Sequence, residues 1–137
     1  MSDARFLFDE EAAIGDDQPI EIVCYDKDEE TGVLTPEDLD DRDWRYTAKN
    51  SHSDADSAAL IVLNPSDITV DSDGNATLNP SNVKNRLTFW LPRANTSLMS
   101  AKNYVQDLQS THKVSGRVFT KALGTLTMIG DATDRTS

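Results

Sequence analysis

YVQDLQSTHKVSGRVFTKALGTLTM, residues Tyr104 to Met128, alternates residue by residue on both sides of a polar tip that contains Gly116. That period of two is the mark of two antiparallel strands joined by a turn. It places Tyr104, Gln106 and Leu108 on one face of the first strand, and Val118, Thr120, Ala122, Gly124, Leu126 and Met128 on one face of the second. A hairpin alone is barely stable in water, so the remainder of the chain must supply the sheets that cover it.

The apolar clusters outside this hairpin are short and alternate in the same way. Gln18 to Asp26 (QPIEIVCYD), Trp44 to Asn50 (WRYTAKN), Ala58 to Leu63 (AALIVL) and Arg86 to Leu91 (RLTFWL) each read as a strand, and Arg5 to Phe8 as a short edge strand. Ile68 to Val70 and Ala76 to Leu78 flank DSDGN, whose composition suits a tight hairpin turn. Asn95 or Thr96 begins a single helical turn. Seven to nine short strands about ten residues apart, punctuated by Pro, Gly and Asn, predict an all-β antiparallel sandwich. With 137 residues the chain suits a single such domain over its whole length, residues 1–137, with long acidic loops. The longest of these, Lys27 to Asp43, shows almost no apolar period, and Thr35-Pro36 would start one helical turn within it.

Charge narrows the function classes. A net charge of -11 argues against the clustered Lys and Arg that phosphate backbones and anionic lipids require, so neither nucleic acid nor membrane is an expected partner. The start MSDARFLF lacks a charged-then-apolar leader, and no apolar run approaches the ~18 residues of a membrane span, so assembly in a cytoplasm is expected. The single cysteine, Cys24, lies in an apolar strand and reads as a small buried hydrophobe.

No catalytic or metal motif emerges. Asp71, Asp73 and Asn75 resemble the start of a calcium loop, but Gly74 falls early and Asn82 stands where a bidentate Glu belongs, so a hairpin tip is the better reading. His52 and His112 sit in polar segments without a companion ligand and read as exposed loop histidines. The acidic residues between Asp26 and Asp43 read as a solvated surface. Hence the expectation is no enzyme, no cofactor and no metal site. The aromatic pattern carries more information. Strict alternation puts Trp90 and Phe119 opposite the core face of their strands, with Leu123 and Ile129 on the same face as Phe119. Trp90, Phe119, Leu123 and Ile129 are therefore the candidate protein-interface residues. A β-bulge near Gly124 would reverse part of that assignment.

The order of these segments resembles the small immunoglobulin-like domain of tailed-phage virion proteins, including the N-terminal domain of phage baseplate upper proteins. The residues that carry the resemblance are Gly15-Asp16 before PIEIVCYD, the acidic turn with Gly32, and Leu39-Asp40 before WRYTAKN. They continue with LIVLNPSDITVDSDGNATL, RLTFWLP, YVQDLQ and RVFTKALGTLTMIGDAT. Gln106 stands where an aromatic residue is common in such domains. The resemblance implies an immunoglobulin-like β-sandwich that is a multi-copy structural piece of a virion, assembled in the host cytoplasm. Its partners would be other virion proteins and further copies of itself. A tail or baseplate adaptor is the leading expectation, a capsid decoration (cement) protein the alternative, and a calcium- or carbohydrate-binding sandwich a further one.

Overall fold

The structure is a computed structural model that describes residues 6–51 and 53–130. His52 lies outside the described residues. Along the chain run β1 (Phe6–Leu7), β2 (Glu10–Ala13), β3 (Gln18–Val23), β4 (Tyr25–Lys27), β5 (Leu34–Pro36), β6 (Arg42–Lys49), β7 (Ile61–Leu63), β8 (Thr69–Asp71) and β9 (Arg86–Leu91). A single helical turn α1 (Arg93–Thr96) precedes β10 (Asn103–His112) and β11 (Val118–Ile129). The large sheet has the order β1-β11-β10-β6-β7, with β2 also lying along β11; the small sheet is β3-β9-β8, and β4-β5 is a separate ribbon. The fold is all-β and sandwich-like, as the alternating segments predicted.

The two sheets share one apolar core. Trp44, Tyr46, Leu108, Leu126 and Met128 of the large sheet meet Ile20, Ile22, Leu87, Phe89 and Leu91 of the small one. The Tyr46 and Phe89 rings, one from each sheet, lie 5.1 Å apart. Each of these large side chains contributes on the order of 1.5–3 kcal/mol by leaving water. Cys24 is buried beside them.

Four sequence expectations need correction. The acidic segment Glu10–Ala13 is a strand, and both β1 and β2 pair with β11 in parallel, so the sheet is not purely antiparallel. A parallel pair needs no tight turn between its members, so nothing local announces it. Next, the long acidic loop folds as the β4-β5 ribbon, with Thr35 and Pro36 in a strand and no helical turn. Its turn closes because Asp28 Oδ1 accepts the Glu30 and Thr31 N–H groups and Gly32 takes a left-handed φ of 72°.

Third, DSDGN is not a tight hairpin tip. β8 pairs with β9, Asp71 opposite Arg86, so residues 72–85 form one long loop and Ala76 to Leu78 is not a strand. Asn75 prevents it: its Oδ1 accepts the Thr77 and Leu78 N–H groups and holds a turn there. Fourth, the register between β10 and β11 slips by one residue. Leu108 faces Ala122 while Gln109 faces Thr120, which leaves Lys121 as the extra residue of a β-bulge. Beyond the bulge the faces exchange, so Val118 and Thr120 leave the core side and Phe119 pairs with the inward Ser110.

Candidate functional site

The four proposed interface residues do not form one patch. Trp90 is 59% exposed on the outer face of the small sheet, between the buried Phe89 and Leu91 and opposite Pro19 of β3. Leu123 and Ile129 project from the outer face of the large sheet, where Leu123 sits between Leu7 of β1 and Asp107 of β10. Leu7 is 84% exposed and Ile129 40%. Phe119 is removed from this group by the bulge at Lys121, so alternation misassigned it. Apolar side chains thus face water on both outsides of the sandwich.

The same bulge builds a buried ion cluster that the sequence reading missed. Lys121 and Ala122 both turn inward, and Lys121 and Glu37 are each only 3% exposed. Lys121 Nζ donates to both Glu37 oxygens, at 2.9 and 2.8 Å. Arg42 Nη2 lies 3.6 Å from Glu37 Oε2 while its Nε donates to Asp41 Oδ1 at 2.9 Å, and its guanidinium stacks over Trp44. Burial pushes the Glu37 carboxyl above its ordinary value, against the pull of Lys121 and Arg42. Burial, with Glu37's charge next, pushes the neighbouring Cys24 thiol up to about 11, which keeps it protonated and a poor nucleophile. A signal for the cluster was present: Lys121 is the one charged residue between Val118 and Ile129.

Several other acidic groups are also engaged within the fold. Asp71 makes a bidentate pair with Arg86 at 2.7 and 2.9 Å. Asp73 accepts from the Tyr25 hydroxyl and the Asn75 N–H, and the buried Asn79 and Asn85 tie the loop to the Val83 and Cys24 carbonyls. His112 accepts the Ser115 N–H at Nδ1 and has Nε2 3.9 Å from Asp41. Among the described residues no group of three or more His, Cys, Asp or Glu is arranged to hold a metal ion. Among them also, no helix is long and apolar enough to cross a membrane.

These carboxylates give stability a defined pH dependence. Hydrogen bonds and ion pairs hold Asp28, Asp71 and Asp73 below their ordinary 3.8, so their contribution is present above that value and is lost as pH falls through their depressed pKa values. Glu37 works in the opposite sense: its raised pKa means that the folded protein binds its proton more readily, so acidification through the range just above 4.5 favours the fold. The melting temperature is expected to hold or rise slightly on mild acidification and to drop below the ordinary aspartate value. A monotonic fall from neutral pH would contradict this balance.

The sequence matches no protein-family profile and no curated protein. In three dimensions the chain is similar to a family 123 glycoside hydrolase from Clostridium perfringens, at 14% identity and a TM-score of 0.38, over 91% of this chain and 23% of that one. A likeness this slight carries no argument about family or activity.

Proposed function

We propose that the chain is a non-enzymatic, multi-copy structural module of a tailed-phage virion, an adaptor in the tail or baseplate assembled in the host cytoplasm. The observation that supports this reading is the pair of apolar positions on opposite outsides of the sandwich, Trp90 on one and Leu7 with Leu123 on the other. A module that joins two neighbours needs two such faces. A buried tryptophan at the centre of an interface commonly supplies 2 kcal/mol or more, about a 30-fold change in affinity.

Trp90→Ser is therefore expected to weaken incorporation into particles by about 30-fold while leaving the melting temperature nearly unchanged, because Trp90 lies outside the core. Quantifying the variant in separated head and tail fractions tests the proposal and distinguishes an adaptor from a capsid decoration protein. Absence of the wild-type chain from both fractions would sink it.

A further inference from the structure

We infer that two copies of this chain exchange their first strands, β1 and β2 of each copy seating on β11 of the other. This deepens the proposed function by naming how copies of a multi-copy module join, and it rests on that reading only for its place in a virion.

The hinge is the first argument. Up to Ile14 the chain belongs to the large sheet, since the Ile14 N–H still donates to the Ile129 carbonyl at 3.0 Å. From Asp16 onward it is held by α1 instead. The Asp16 carbonyl accepts the Thr96 hydroxyl at 2.7 Å, and Asp17 Oδ1 accepts the Arg93 N–H at 2.7 Å. Only Gly15 stands between these two anchorages. The return of β2 onto the chain's own β11 depends on a turn in which the Asp16 N–H donates to the Ala13 carbonyl at 3.2 Å and Gly15 takes a left-handed φ of 85°. Rotating that one residue to an extended φ swings β1 and β2 away while Asp16 and Asp17 keep their partners.

The socket is the second argument. The contacts that seat the N-terminal segment are made to β6, β10 and β11. Phe8 packs edge-on to Tyr46, its carbonyl accepts Gln106 Nε2 at 2.8 Å, and Asp9 Oδ1 accepts the Thr125 N–H at 2.9 Å. At Gly124 the crossing backbone lies so close that a Cβ would stand 1.6 Å from the Phe8 oxygen. The socket thus requires a strand that brings Phe8, Asp9 and Ala12 in this register, and a second copy brings them by definition. Exchange reproduces each contact between copies, so only the loss of freedom on pairing two chains opposes it. A short tether presents its own strand at an effective concentration of about millimolar, so the closed monomer prevails in dilute solution and exchange competes where copies are crowded side by side.

The experiment is sedimentation equilibrium of the full purified chain, wild type and Gly15→Ala, over a wide concentration range. A Cβ at this position meets nothing within 4 Å, so the substitution strains only the left-handed hinge of the closed monomer and is relieved in the exchanged dimer. That strain corresponds to about tenfold for each hinge, and the Gly15→Ala dimer is expected to be about 100-fold tighter than that of the wild type. Leu7 and Leu123 are paired across β1 and β11, a strand spacing of ~4.8 Å that a disulfide can bridge. Oxidising the double variant Leu7→Cys/Leu123→Cys in dilute solution staples each strand to its own sheet, and is expected to abolish the dimer in the Gly15→Ala background as well. Mixing the two single variants is expected to give a disulfide that joins one copy to the other. Cys24 does not compete, because it is buried and protonated. A Gly15→Ala chain that stays monomeric, a dimer that survives the staple, or a dimer without the mixed disulfide overturns the inference. Because these readouts need no particle, they separate failure of this inference from failure of the virion assignment.

Discussion

Replacing Gly124 with alanine is expected to destabilise the protein by more than about 3 kcal/mol, at or beyond the upper end of what overpacking normally costs. A Cβ at this position would lie 1.6 Å from the Phe8 carbonyl oxygen and 2.3 Å from its carbon, both backbone atoms. The crossing chain cannot yield cheaply, because it is held from three sides. The Phe8 N–H donates to the Leu123 carbonyl at 2.9 Å, Gln106 Nε2 donates to the Phe8 carbonyl at 2.8 Å, and Asp9 Oδ1 accepts the Thr125 N–H at 2.9 Å. Relief requires lifting the segment that carries β1 and β2 off β11, which exposes the buried Phe8 and Ala12. Urea titration measures the loss. Gly130→Ala is the control, since a Cβ there meets nothing within 4 Å, and its change should stay within about 0.5 kcal/mol. Equal behaviour of the two variants would show that the crossing at Gly124 is not rigid.

Lys121→Met and Glu37→Leu should each cost about 3–5 kcal/mol, because each strands a charge that is otherwise out of water. The first is the milder, since Arg42 still lies 3.6 Å from the Glu37 carboxylate. The double variant is expected to recover much of the loss, as a buried ion pair replaced by apolar side chains is commonly neutral or better. A double-mutant cycle in urea gives the coupling directly, and additive single effects would mean that the two groups do not depend on each other.

Where local pattern carries the physics, the sequence was sufficient. β9 runs from Arg86 to Leu91, as its unbroken alternation and the stop at Pro92 predict. The β10-β11 hairpin was likewise visible from its period. What stayed hidden depends on distant partners. Glu10–Ala13 looks like an acidic turn until β11 lies beside it, and Glu37 is one acid in a run of acids until Lys121 reaches it. The bulge defeated the candidate site for a simpler reason: one inserted residue reverses every facing beyond it, and Phe119 went with it. Gln106, which in the sequence merely stands where an aromatic residue is common, joins Tyr46, Phe8 and Thr125 at the centre of the sheet.

The parallel seating of β1 and β2 on β11 also dictates an order of events. Asp9 meets the Thr125 amide across 116 residues of chain, so the segment that carries β1 and β2 cannot take its place until β11 has been synthesised. Until then Phe8 has no pocket to fill, and β11 lacks a partner along one edge. Contacts this far apart in sequence make folding slow, and docking of the N-terminal segment is its natural closing step.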